Sequence, residues 1–297
     1  MRKNFFIGVI VLVLMVSCSD YNQVYKTSDL NYKYEAAKEY YMSGNYSRSA
    51  SLLESLIIAL KGSPDAQESL FMIAMCNYYL NDFSAAQSYL STYYKTYPKG
   101  TYSELARFYS GKALFYQSPD PRLDQSPTYG AIKELQQFLD VFPYSEHREE
   151  ANDMIFQLQN RLVNKEYNAA KLYYNLGSYT GNCMAGGSNY AACAITAENA
   201  LKSYPYTDLR EELYVMILKS KYELAKNSVE SKQAERYREA IDEYYGFKNE
   251  FPDSRYMKDA EHIFKESENK LSKIGKRTAS VRRRPVDDAD TMTKPKE

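Results

Sequence analysis

The sequence predicts an all-α fold of helix pairs stacked one on another. Between Ala66 and Pro98, small and apolar residues recur at helical spacing on both sides of Asn81-Asp82, which indicates a helix, a turn and a second helix. The same stretch spans about one tetratricopeptide period of 34 residues. An aromatic residue followed by proline recurs at four predicted helix ends: Tyr97-Pro98, Phe142-Pro143, Tyr204-Pro205 and Phe251-Pro252. We therefore predict a tetratricopeptide-like αα-solenoid of about five helix pairs plus a C-terminal capping helix.

The composition agrees with such a fold and argues against a nucleic-acid partner. The chain of 297 residues is 44% hydrophobic and contains 31 Tyr but no Trp. Many tyrosines suit a solenoid, because each ring can be partly buried while its hydroxyl stays in water. Basic and acidic residues balance at 38 each, so no overall charge favours binding to nucleic acid.

The N-terminus carries the features of an export signal. Arg2 and Lys3 precede an apolar run that is too short for a permanent membrane span, and the run ends in the sequence Met15-Val16-Ser17-Cys18. We predict a lipoprotein signal peptide over residues 1–17, with Cys18 lipidated after cleavage. An ordinary signal peptide with an incidental cysteine is the alternative. Residues 18–28 are polar and lack periodicity, which predicts a lipidated tether.

The front repeats are predicted over residues 29–145. The first pair reverses at Gly44-Asn45, where glycine can adopt the left-handed conformation of a helix end. The second pair is the stretch from Ala66 to Pro98. The third pair contains a proline-rich loop over residues 118–127, which lengthens the connection between its two helices.

The back repeats are predicted over residues 146–274. No Gly or Pro occurs from Glu146 to Leu176, which indicates one long helix. Further helices are predicted over residues 190–204, 209–227, 234–251 and 255–274, the last as a cap on the stack. Residues 275–297 have little apolar content, so we predict a disordered tail.

Two cysteines flank the glycine-rich connector after the long helix. In an exported protein, Cys183 and Cys193 could form a disulfide that contributes about 2 to 3 kcal/mol. Alternatively, Cys193 is a free buried thiol, because its position suits a small packed residue. No pair of cysteines or cluster of histidines has the spacing of a zinc site, so we predict no metal and no cofactor.

A family resemblance rests on the signal, the aromatic-proline helix ends and the run from Arg161 to Tyr167 in the long helix. Together these features resemble the BamD family, the lipoproteins of the outer-membrane β-barrel assembly machine, over about residues 29–252. The resemblance implies a non-catalytic protein anchored by lipid to the outer membrane of a Gram-negative bacterium, with its body in the periplasm. It also implies two partners: unfolded outer-membrane proteins, and a BamA-like β-barrel with periplasmic domains.

The resemblance further implies where these partners bind. Front repeats of the family receive the aromatic C-terminal signal of unfolded outer-membrane proteins. Rings that could stack on such a peptide are Tyr34, Tyr41, Tyr78 and Tyr79, although core packing is the alternative for each. The family's partner-contacting arginine falls near Thr196 here, so docking is expected at Arg210 or Glu211 instead.

Three other functions are less well supported by the sequence. A periplasmic tetratricopeptide scaffold for envelope or division proteins would usually add a coiled coil, and no sustained heptads occur. A SusD-like glycan-binding lipoprotein favours Trp as a sugar platform, and this chain has none. An enzyme is least supported, because His147 and His262 lie beside acidic residues on predicted exposed helices without a nucleophile or phosphate loop.

Overall fold

The computed structural model describes residues 21–179 and 187–282, whose regular secondary structure is entirely helical, as predicted. Residues 21–26 form α1. The later helices are α2 (Leu30–Met42), α3 (Tyr46–Leu56), α4 (Ala66–Tyr79), α5 (Phe83–Thr96), α6 (Ser103–Gln117), α7 (Ser126–Val141), α8 (Arg148–Leu176), α9 (Asn189–Ser203), α10 (Arg210–Lys226), α11 (Glu230–Glu250) and α12 (Met257–Arg282). The chain divides into two compact units, Met1–Leu162 and Val163–Glu297, called unit 1 and unit 2.

In unit 1, each helix from α2 to α7 packs against the next one in the chain. The predicted close approach of α4 and α5 occurs at Ala74 and Ala86, which are both fully buried. Their small side chains let the helix axes come near each other, while Ile73 and Leu90 fill the space around the contact. The predicted helical hairpin from Ala66 to Pro98 is therefore confirmed.

Helix α8 is continuous, as the absence of Gly and Pro predicts. Its first half places Met154 and Leu158 in a cluster with α6 and α7, whereas Val163 and Ala170 belong to a cluster with α9 and α10. The two units consequently meet in sequence at Leu162 and Val163, inside α8. This division falls later than the predicted boundary after residue 145, because the first half of α8 buries its apolar face within unit 1.

In unit 2, the helices α9 to α12 also pack in chain order, and α12 contacts α10 as well. Lys221 on α10 joins three helices: its ammonium lies 2.9 Å from a carboxylate oxygen of Glu198 and 2.7 Å from one of Glu243. Burial lowers the pKa of Lys221, but the two carboxylates outweigh burial and raise it above its usual value. The lysine therefore stays charged and ties α9, α10 and α11 together.

The aromatic-proline pattern has a local structural cause. Tyr97, Phe142, Tyr204 and Phe251 each end a helix with nearly the same backbone angles, φ between −134° and −123° and ψ between 64° and 70°. The backbone N–H of each aromatic residue donates to the backbone carbonyl four residues earlier, and the following proline cannot continue the helix. The motif thus ends α5, α7, α9 and α11 in one repeated geometry.

The predicted tether is wrong over residues 21–26, which form α1. Val24 is only 6% exposed, and the ring of Tyr21 packs edge to face on Tyr40 at 5.7 Å between centroids. Residues three apart share one face of a helix, so Tyr21 and Val24 pack together onto unit 1. The predicted signal peptide and Cys18 lie outside the described residues.

The predicted start of the disordered tail at residue 275 is also wrong, because the backbone of α12 is helical to Arg282. A single glycine inside a helix costs only about 1 kcal/mol, so Gly275 does not end it. The Arg277 guanidinium lies 3.6 Å from a carboxylate oxygen of Glu230 on α11, in an exposed ion pair. In the part of the chain that the structure describes, no helix is long and apolar enough to cross a membrane.

Candidate functional site

A continuous series of aromatic rings crosses three consecutive hairpins of unit 1. We call it the aromatic surface and define it by Tyr41, Tyr46, Tyr78, Tyr79, Phe83, Tyr109 and Tyr116. Tyr46 stacks on Tyr79 at 4.6 Å between ring centroids, which joins the first hairpin to the second. Tyr78 meets Tyr109 edge to face at 5.0 Å, which joins the second hairpin to α6. The rings therefore form one unbroken contact path.

The repeated turn geometry places these rings. Gly44 and Asn81 end α2 and α4 in the left-handed region, with φ of 76° and 62°. The N–H of the residue after each of them donates to the carbonyl five residues earlier, at 2.8 and 2.9 Å. Tyr41 and Tyr78 stand three residues before these turns, and Tyr46 and Phe83 stand two residues after them. The shared offsets place these four rings at the turn end of the first two hairpins, where Tyr46 meets Tyr79.

The aromatic surface contains three of the four predicted tyrosines. Tyr79 is 45% exposed, and Tyr41 and Tyr78 are half-buried, so their rings remain partly accessible. Tyr34 is a correction to the prediction: it is only 4% exposed, because its ring packs in the core and its hydroxyl donates to Glu68 at 2.7 Å.

Four members of the aromatic surface were not predicted from the sequence: Tyr46, Phe83, Tyr109 and Tyr116. For Tyr46 and Phe83, the shared offset from Gly44 and Asn81 was a usable signal. Burial raises the pKa of Tyr41 and Tyr78 well above the usual tyrosine value, so their hydroxyls stay protonated and can donate hydrogen bonds.

An apolar cavity of about 210 Å³ adjoins this surface through the shared side chain of Tyr41. Its other lining residues are Lys38, Met42, Glu68, Phe71, Met72 and Tyr102. Phe71 and Tyr102 stack at 4.5 Å between centroids and form a flat aromatic wall. The hydrogen bond to Glu35 raises the pKa of Lys38, so the cavity has one cation at its edge. The cavity therefore suits an apolar side chain, and the charge of Lys38 at its edge is already paired with Glu35.

The predicted docking residues lie at the start of α10 in unit 2. Arg210 forms an ion pair with Glu250 at the end of α11 and donates to the carbonyl of Pro205 at 2.8 Å. Its guanidinium also lies 5.3 Å from the ring centroid of Tyr214. Arg210 thus holds two helix ends and a turn together, and Glu211 follows it on the half-buried first turn of α10.

A second cavity, of about 260 Å³, lies within unit 2 between α8, α10 and the start of α12. It is lined by Tyr167, Lys171, Tyr174, Asn175, Glu212, Val215, Met216, Lys219 and Tyr256. Lys219 pairs with Asp259 at 2.9 Å, and the Lys171 ammonium lies 6.0 Å from the Tyr167 ring centroid. Glu212 lines this cavity, whereas the predicted Glu211 does not.

The described cysteines are buried free thiols. Cys193 is fully buried in the cluster between α8, α9 and α10, and burial raises the pKa of its thiol. Cys183 lies outside the described residues, so the disulfide between them stays a prediction.

The two histidines lie in different environments. His147 differs from its predicted exposed position, because its ring stacks on Phe108 at 4.2 Å between centroids and is half-buried. His262 is exposed on α12. Within residues 21–179 and 187–282, no three His, Cys, Asp or Glu side chains are grouped to hold a metal ion.

Comparison with known proteins identifies the family. The family model YfiO, described as outer membrane lipoprotein, matches residues 27–183, which is more than half of the chain. That range includes the whole aromatic surface and α8. A comparison with curated proteins finds no match. The chain therefore belongs to the YfiO family of outer membrane lipoproteins.

Proposed function

We propose that this protein is a non-catalytic, BamD-like component of an outer-membrane β-barrel assembly machine. In this role unit 1 recognises unfolded outer-membrane proteins, and unit 2 docks the periplasmic domains of a BamA-like β-barrel protein. The observation that carries the proposal is the aromatic surface, which leads into an apolar cavity with a lysine at its edge. Membership of the YfiO family, matched over residues 27–183, supports the role of an outer membrane lipoprotein.

The aromatic surface and its cavity suit an extended peptide that ends in phenylalanine. Aromatic side chains of the peptide would stack on Tyr79 and Tyr116, which are the most exposed rings of the surface. The terminal phenylalanine would enter the cavity beside Phe71, and its carboxylate would replace Glu35 as the partner of Lys38. Burying one phenylalanine side chain contributes about 1.5 to 3 kcal/mol, so the last residue should dominate affinity.

Peptide titration of the mature protein tests this part of the proposal. A peptide ending in Phe should bind more tightly than the same peptide without that residue. Replacing both Tyr79 and Tyr116 by Ala should weaken binding about tenfold or more, since each aromatic pair contributes about 0.5 to 1.5 kcal/mol. Tyr144→Ala is the matched control, because Tyr144 is 96% exposed and outside the aromatic surface. Equal affinities for both peptides would contradict aromatic capture.

The proposed membrane anchor is a lipidated Cys18, which would hold the protein on the periplasmic side of the outer membrane. Several acyl chains on one residue are enough for stable membrane attachment. Cys18→Ala should release the protein from the outer-membrane fraction or send it elsewhere. A variant that fractionated with the outer membrane as tightly as the parent would refute lipid anchoring at Cys18.

Docking on unit 2 is proposed at the start of α10, at Arg210 and Glu211, together with the neighbouring 260 Å³ cavity. Because Arg210 already stabilises the fold, Glu211→Lys and Lys171→Glu are better probes than a change at Arg210. Both should reduce recovery of a BamA-like protein from detergent extracts. Lys202→Glu, on the exposed end of α9, is the control and should leave recovery unchanged. If only the control variant lost recovery of the BamA-like protein, docking would have to occur at a different site.

A further inference from the structure

The N-terminal helix α1 is fixed to the body of unit 1. Tyr21 packs on Tyr40, and the Arg48 guanidinium lies 5.4 Å from the Tyr21 ring centroid. Val24 is buried in the same cluster as the helices α2 to α5. The chain is therefore held in place from Tyr21 onward, and no free segment remains between this residue and the core.

The distance from the proposed lipid anchor to this fixed helix is short. Cys18 precedes Tyr21 by three residues, and three residues span at most about 11 Å even when fully extended. The polar headgroup layer on each side of a bilayer is about 5 to 8 Å thick. An acylated Cys18 would thus bring α1 against the headgroups or into them. A long flexible tether would have left unit 1 free to face any direction.

The side chains around α1 have the chemistry of a membrane interface. Tyr25 is 47% exposed, and the Lys33 ammonium lies 5.7 Å from its ring centroid, which shows that α1 and the start of α2 are adjacent. Lys33 itself is only 9% exposed, whereas Leu30 is exposed one helical turn before it and Lys26 is exposed beside Tyr25. Tyrosine rings favour the headgroup level, and lysines are attracted to anionic lipids.

Asp29, the acidic residue next to Leu30 in the sequence, has a local structural role. The Asp29 carboxylate accepts a hydrogen bond from the N–H of Tyr32 at 3.1 Å and caps α2. A carboxylate at a helix N-terminus is partly neutralised by the helix dipole, so it opposes an anionic surface less than a free carboxylate would.

We infer that Tyr25, Lys26 and Leu30, which we call the N-terminal surface, lie in the headgroup layer of an anionic membrane and orient unit 1 upon it. The inference rests on the lipidation of Cys18 proposed above. It adds a second membrane contact, made by the folded protein itself. The acyl chains supply the attachment, and the N-terminal surface sets which side of unit 1 faces the bilayer.

Fluorescence of the full-length lipidated protein in vesicles of phosphatidylethanolamine and phosphatidylglycerol tests this inference. An environment-sensitive dye is attached at Tyr25→Cys or, as control, at Tyr144→Cys, both in a Cys183→Ser background. Cys76 and Cys193 are buried and stay unlabelled. On vesicles, the dye at position 25 should shift its emission to the blue and become about fivefold less accessible to iodide. The dye at position 144 should show neither change.

A charge change separates membrane contact from simple proximity to lipid. Lys26→Glu should make the dye at position 25 about fivefold more accessible to iodide, because one lysine near an anionic surface favours binding by about that factor. Lys99→Glu, at an exposed position far along unit 1, is the matched control and should change nothing. Equal effects of the two substitutions would overturn the assignment of Lys26 to the N-terminal surface.

The outcomes distinguish this inference from the proposed anchor. If the protein floats with vesicles while position 25 is as accessible to iodide as position 144, the lipid anchor stands and the N-terminal surface is refuted. If the parent protein does not float, the proposed lipidation of Cys18 fails, and the inference that rests on it fails too. Flotation together with protection from iodide at position 25, but not at position 144, supports both the lipid anchor and the N-terminal surface.

Discussion

The packing of Leu158 offers the sharpest test of the long helix α8. This side chain is fully buried and contacts a cluster that includes Phe108 of α6 and Phe138 of α7. Leu→Ala substitutions in cores cost about 2 to 5 kcal/mol, and the cost rises with the volume of the cavity left behind. Neighbours on separate helices cannot all move inward, so we expect Leu158→Ala to cost about 3 to 5 kcal/mol.

The assay is urea unfolding of the mature protein, followed by circular dichroism, with hydrogen exchange to localise the change to unit 1. Leu172→Ala is the matched control: it makes the same chemical change in the same helix, but Leu172 is 59% exposed. The control should cost less than about 0.5 kcal/mol. Leu158→Pro should cost at least about 3 kcal/mol more than Leu158→Ala, because it also removes a backbone donor inside α8. Equal losses of unfolding free energy in the two alanine variants would refute the burial of Leu158 between α6, α7 and α8.

Three further predictions concern single contacts. Tyr34→Phe removes the hydroxyl that donates to Glu68, so thermal unfolding should show a loss of about 1 to 3 kcal/mol; no change would mean that water replaces the contact. Asn81→Ala should cost about 1 to 2 kcal/mol because φ is positive there, whereas Asn81→Gly should stay within about 1 kcal/mol of the parent; the reverse order would contradict the left-handed turn. Arg210, hydrogen-bonded to Glu250, lowers the pKa of that carboxyl. Because the pKa of Glu250 is lower in the folded state than in the unfolded state, the ion pair stabilises the protein fully at pH values above the unfolded-state pKa. This stabilisation is lost as the pH falls through the folded-state pKa. The destabilisation by Arg210→Gln should therefore shrink below about pH 4, and a pH-independent cost would refute the ion pair as its cause.

Elements that depend on local chemistry could be predicted from the amino-acid sequence alone. Helical periodicity, the turn at Gly44 and the aromatic-proline helix ends depend on residues within a few positions of one another, so no distant contact is needed to predict them. The absence of Gly and Pro determined α8 in the same way. These signals were enough for the fold class and for the order of the helix pairs.

Which side chains are available for binding depends on how the helices pack. Tyr34 and Tyr79 follow similar sequence patterns, yet one donates to Glu68 inside the core and the other stays exposed on the aromatic surface. Arg210 has a partner forty residues away, so its role in holding α10 to α11 has no local signal. The segment 21–26 is short and mostly polar. It folds into α1 because Tyr21 and Val24 pack on an apolar surface of unit 1. In each case the contact joins residues far apart in the chain, so the packing of the helices had to be known before the role of the side chain could be assigned.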